Sequence, residues 1–179
     1  MPTAVNFYNN ISVLRENGIC TDEQLGNALI KGFITVEQYV ELIKDETKAL
    51  EGVKTAQILK SKALLESFLA NNPYVDATNN KTYSVTFEKQ SLLANAIATY
   101  QLSVAAGVPK TLKWNTTGDE CVEFTFEEIT ALALSIAAYV EPMVSYQQSK
   151  EVAIRNATTI EEALGITVDY NEAVTKPAK

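Results

Sequence analysis

NGICTDEQL, residues 17–25, is followed fourteen positions later by KGFITVEQY, residues 31–39. In both, a glycine (Gly18, Gly32) leads through two apolar residues to a threonine (Thr21, Thr35). After one variable position come Glu-Gln and a bulky apolar residue. A glycine just past a helix end takes the left-handed conformation that closes the helix. A threonine with Gln three residues later is a capping box, here Thr21 with Gln24 and Thr35 with Gln38. The residue before each threonine, Cys20 or Ile34, folds over the new helix as a hydrophobic staple. Each phrase therefore ends one helix and starts the next. Three helices are expected: 5–17, 21–31 and a third from Thr35. Phe7, Ile11 and Leu14 have helical spacing, as do Leu25, Ala28 and Leu29. Two copies are too few for a stacked solenoid, which needs at least about three.

Downstream the helical pattern continues to about Asn71. Val36, Val40, Ile43, Thr47 and Leu50 form a short coiled-coil-like stripe, which Gly52 interrupts. A second stripe resumes at Ile58, Leu65 and Leu69, with Leu64 and Phe68 beside it. The polar stretch DETKALEGVKTAQILKSK, 45–62, reads as a partly exposed connecting helix. Pro73 and four asparagines in NNPYVDATNN, 71–80, end it and mark a candidate domain boundary. Asp76, Thr78 and Asn80 alternate as in a calcium loop, but the central glycine is absent and Phe87 replaces the bidentate Glu. A solvated turn is the expectation there.

In the C-terminal half TYSVTF, 82–87, alternates as a short strand. An amphipathic helix follows, with Leu92, Leu93, Ala96, Ile97, Tyr100 and Val104 on its apolar face and Gly107 closing it. Leu112 and Trp114, then Val122, Phe124 and Phe126, alternate around the turn NTTGDE and predict a hairpin. Thr125 with Glu128 caps a long helix to about Asn156, with Pro142 inside it. Thr159 with Glu162 caps a short helix burying Ile160, Leu164 and Ile166, and the tail from Val174 reads as loose. The expected fold is α+β and mostly helical: a helical module at 1–44, a connecting helix at 45–72, and a module at 73–179 with a small sheet packed on helices.

Composition narrows the function. The 179 residues are 46% hydrophobic, which suits one soluble domain or two small ones. The net charge of -7 argues against nucleic acid as a partner, because phosphate-backbone affinity rests on Lys and Arg. Cys20 and Cys121 sit among apolar neighbours and read as small buried hydrophobes. The N-terminus lacks a signal-peptide pattern, and the longest apolar run, ITALALSIAAYV at 129–140, contains Thr130 and Ser135. Synthesis in a cytoplasm and no membrane insertion are expected. The chain has no histidine, the commonest general base and metal ligand. It shows no zinc-spaced Cys pair, Walker loop or GxGxxG. Asp119, Glu120 and Glu123 on the hairpin read as solvated, and Glu127 and Glu128 as helix-dipole partners. No enzyme, cofactor or metal site is therefore expected. For recognition, Trp114, Asp119 at the hairpin tip, Tyr74 and Tyr83 are the candidate surface; Tyr146 and Tyr170 are likewise not placed by core spacing.

Two family resemblances add to this reading. YNNISVLRENGICTDEQLGNALIKGFITVEQYVELI, 8–43, resembles the short phage tail proteins of the XkdX type. Phe7 and Tyr8 stand where that family often has tryptophan. Trp114 with its turn and strand, FTFEEITAL at 124–132 and AIRNATTIEEAL at 153–164 resemble a domain of unknown function. That domain recurs in phage tail-fibre and tail-fibre-assembly proteins. Neither resemblance implies a catalytic residue. Together they imply a structural component of a phage tail, at the baseplate or fibre attachment region. It would be located in the virion tail, in several copies, and its partners would be other tail, baseplate or fibre proteins. A fibre-assembly chaperone absent from the mature particle and an adaptor binding a host-surface polymer are the alternatives.

Overall fold

The computed structural model describes residues 4–108 and 110–175. The fold is α+β and mostly helical. Two antiparallel hairpins, each a separate two-stranded sheet, stand where one small sheet was expected. The described residues form two compact units. One runs to Ala63 and takes in Gln147–Val168; the other comprises Leu64–Tyr146 and continues from Asp169. These units do not follow the segments 1–44, 45–72 and 73–179. The long helices α4 (Glu46–Asn71) and α6 (Phe126–Asn156) each supply residues to both.

In the first unit the doubled phrase does what its residues dictate. Helix α1 (Ala4–Glu16) stops at a turn in which Gly18, at φ 71°, donates to the Arg15 carbonyl at 3.0 Å and Ile19 to that of Leu14 at 2.9 Å. Helix α2 (Asp22–Ile30) repeats this with Gly32, at φ 70°, and Phe33. Both are Schellman closures, which satisfy carbonyls left open at a helix end. Thr21 and Thr35 then form complete capping boxes with Gln24 and Gln38, starting α2 and α3 (Val36–Ile43). The staple residues Cys20 and Ile34 are buried in one cluster with Ile11, Leu25, Leu29, Leu42, Ile43, Val53 and Ala163. Arg15 fastens this module: it donates to the Cys20 carbonyl at 2.9 Å and pairs with Asp22, which also takes Lys48 at 3.0 Å.

The stripe expected from Val36 to Leu50 is broken. Helix α3 ends at Lys44, in the left-handed region at φ 55°. The Asp45 side chain accepts from the Lys48 N–H at 3.0 Å and starts a separate helix. Thr47 is exposed, and Ala49 and Val53 carry the buried face. Gly52 is no interruption. A Cβ there would lie 2.0 Å from the Tyr39 hydroxyl oxygen and 2.6 Å from ring carbon Cζ. The bare backbone of α4 is the floor on which buried Tyr39 packs.

Further along α4, Ser61 is buried against α6. The Gln147 amide donates to Ser61 Oγ at 3.4 Å and to Glu151 at 3.1 Å. Glu151 also receives Lys62 at 3.2 Å and Arg155 at 2.6 Å. The Arg155, Gln147 and Lys62 donors hold its carboxyl well below the usual range, at about 2. A carboxylate only 8% exposed is thus paid for by donors on two helices. Helix α7 (Ile160–Gly165) starts at Thr159, which accepts from the Glu162 N–H at 3.1 Å. Glu162 reaches back to Thr158 rather than Thr159, so the expected reciprocal box is shifted by one residue. Ala163 is the fully buried position of that turn and belongs to the first unit's core cluster, whereas Leu164 is exposed.

In the second unit β1 (Tyr74–Asp76) pairs with β2 (Lys81–Tyr83), so the expected solvated turn is the tip of a hairpin. Asp76 holds that tip by accepting from the Thr78 N–H at 2.9 Å, the Thr78 hydroxyl at 2.7 Å and the Asn79 amide at 2.9 Å. The carboxylate is thus spent on its own loop, an Asx turn, and supplies no calcium loop. Strand β2 is shorter than the alternation of 82–87 suggests, because Thr86 is the N-cap of α5 (Phe87–Ala105). The foreseen hairpin is β3 (Leu112–Trp114) with β4 (Val122–Phe124). Phe126 belongs to α6 and stacks on Tyr100 at 5.5 Å. Thr125 and Glu128 form the full capping box of α6, at 2.8 and 3.1 Å. Ile129, Leu132, Ile136, Val140 and Met143 make its buried stripe. Of the expected loose tail, Val174 and Thr175 lie in a short helix, α8 (Asn171–Thr175); 176–179 lie outside the described residues. The two cysteines are free, and Cys121 is exposed, contrary to expectation, because strand β4 begins only after it.

Candidate assembly surfaces

The residues singled out for recognition separate in the structure. Tyr83 is 2% exposed and belongs to the core; its cross-strand partner Tyr74 is half-buried, with its ring 5.9 Å from that of Tyr139. Burial pushes the Tyr83 hydroxyl up, as expected for a phenol in an apolar setting. Trp114 is half-buried in β3 with the Lys89 ammonium 5.8 Å from its ring centre. Asp119 is exposed at the hairpin tip but accepts from the buried Thr116 hydroxyl, so it braces the tip. Tyr170, another residue that sequence spacing left unplaced, is buried against Phe68 and Tyr146, and its hydroxyl is pushed up to about 12 by that burial. The capping residues Thr21, Gln24, Thr35, Gln38, Thr125, Glu128, Thr159 and Glu162 all stand at helix starts.

Apolar surface is left open where sequence periodicity expects a core. On α5 only Leu93 is fully buried. Leu92 and Val104 are exposed and Leu102 is 71% exposed. Between α5 and α6 lies a groove of ≈ 650 Å³ whose lining, including Phe87, Ala94, Ile97, Ala98, Leu134 and Ala137, holds no charged residue. Leu134 in it is 67% exposed. In the first unit a second groove of ≈ 420 Å³ runs between α1 and α2, over Phe7, Ile11, Leu14, Ile19 and Phe33. Helix α6 is long and apolar enough to cross a membrane by length and composition, and only 28% of its most apolar 18-residue window is buried. The expectation of no membrane insertion was drawn from the shorter stretch 129–140. Among the described residues no group of three or more Cys, Asp or Glu could hold a metal ion.

A family model described as a domain of unknown function, DUF4376, matches residues 54–171. The chain belongs to that family. The DUF4376 match begins inside α4 and takes in both hairpins, α5, α6 and α7. The repeat-bearing helices α1, α2 and α3 lie before it. No curated protein and no solved structure matches the chain.

Sequence reasoning did not single out Arg15 or Glu151, and it read Gly52 as an interruption rather than a packing position. For Gly52 the only signal was its presence inside a helical pattern, which usually marks a packing reason. Arg15 carries no local signature, because its partners lie beyond its own helix; Glu151 has the i,i+4 spacing to Arg155, but its burial and its Lys62 partner depend on α4.

Proposed function

We propose that this DUF4376 protein is a structural component of a bacteriophage tail, at the baseplate or fibre attachment region, working by protein–protein assembly. The observation that carries the reading is the charge-free groove between α5 and α6 in a chain that is 21% charged. Contiguous apolar surface of this kind marks interaction sites in soluble proteins. Its occupant is an apolar element of a neighbouring tail protein. The likeness of 8–43 to XkdX-type proteins and of the C-terminal half to tail-fibre-associated proteins supports the same assignment. Tail symmetry then calls for several copies.

Mass spectrometry of purified, salt-washed particles from the producing strain tests this. Recovery in a fixed ratio to tail proteins is the expected outcome. Absence from particles, with the protein bound to fibre protein in the lysate, would make it an assembly chaperone instead. Recovery in the membrane fraction would reassign the open face of α6.

A further inference from the structure

A third concavity, of ≈ 480 Å³, lies in the second unit and differs from the two apolar grooves. Three elements each contribute one face to it. From the β1–β2 hairpin come Tyr74, Asp76, Lys81 and Tyr83, which share a face because alternate residues of a strand do. From α6 come Glu128, Ala131, Leu132 and Ser135, one stripe at helical spacing. Phe124 with its β4 neighbours closes the third side. The hairpins are fastened together by the Thr117 N–H, which donates to the Thr82 carbonyl at 2.8 Å. The hairpin tip is held by the three donors on Asp76, and Glu128 by its capping bond. The concavity is thus built from ordered parts, and its size is within the ~300–1,000 Å³ typical of small-ligand sites.

We infer that this concavity binds an uncharged saccharide. Its half-buried rings, Tyr74 and Phe124, offer planar apolar faces for the C–H faces of a pyranose. Beside them stand Glu123, Glu128, Lys81 and Ser135, groups of the kinds that accept from and donate to ring hydroxyls. Asp76, Glu123 and Glu128 outnumber Lys81 among the lining charges, so an anionic ligand is repelled. A purely apolar partner would desolvate those charges without replacing their hydrogen bonds. A metal ion is disfavoured because these carboxylates do not converge on one point. A ligand with hydroxyls at its rim and hydrocarbon on its faces satisfies both kinds of lining. The inference is independent of the tail reading and is tested on the isolated full chain.

The test is an amide ¹H–¹⁵N titration with N-acetylchitotetraose, mannotetraose and galactotetraose, with tetragalacturonate as the acidic control. A neutral probe is expected to shift amides within 74–83 and 122–135. Tyr74→Ala should weaken that probe by about tenfold or more. Ala131→Trp, at an exposed helical position, obstructs the concavity without touching the core and should abolish binding even if Tyr74→Ala fails to fold. Absence of shifts there with every neutral probe at about 10 mM overturns the inference, since binding that weak is worth less than ~3 kcal/mol. Shifts centred elsewhere, or equal binding of tetragalacturonate, overturn it as well.

Discussion

At the scale of single residues, two glycines act for different reasons. Gly32 meets no neighbour within 4 Å but sits at φ +70°. Gly32→Val forces a β-branched residue into the left-handed region and should cost at least ~1–2 kcal/mol, read as a lower urea midpoint with an unchanged slope. Gly52 has ordinary helical backbone, and its constraint is space. Gly52→Ala drives a methyl into the Tyr39 ring and should cost ~1–3 kcal/mol. Tyr39→Phe in that background removes the closest oxygen and should recover part of the loss. A Gly52→Ala protein as stable as the parent would show that no such clash exists. The Gly32 effect was legible from the repeated phrase. The Gly52 effect was not, because Tyr39 approaches from another helix.

At the scale of elements, caps decide boundaries and burial decides faces. Apolar periodicity alone runs α3 and α4 together; the left-handed Lys44 and the Asp45 cap separate them. The Glu151 network joins α4 to α6 and is pH-dependent. Its folded pKa, about 2, lies below the usual carboxyl value of 4.5. The stabilisation is therefore complete above the unfolded value and is lost as pH falls from 4.5 towards 2. Glu151→Gln should melt well below the parent at pH 7, with the gap narrowing through that window and closing near its lower end. A gap constant with pH would mean that the carboxylate charge contributes nothing. Thr35→Ala, which removes the cap of α3, should cost ~1 kcal/mol in the same thermal assay at any pH above that window.

At the scale of the whole molecule, two compact units draw on the same long helices, and the open α5–α6 groove bears on assembly. Ala98→Glu places a charge in that groove at an exposed helical position. Stability should stay within ~0.5 kcal/mol, since no core contact is lost, while incorporation into particles falls. Normal incorporation of this variant would remove the groove from the assembly reading. The sequence by itself determined the local grammar: Schellman glycines, capping boxes, the β3–β4 hairpin and the mostly helical class. The caps and closures are bargains among residues within about five positions, and the hairpin pairs residues no more than twelve apart, so the signal of each lies in one short stretch. Only the tertiary structure decided that Tyr39 needs Gly52, that Glu151 is buried among donors, that Tyr83 is core while much of α5 lies open, and that α4 and α6 each serve two units. Periodicity marks an apolar face, but what covers that face is set by elements distant in sequence.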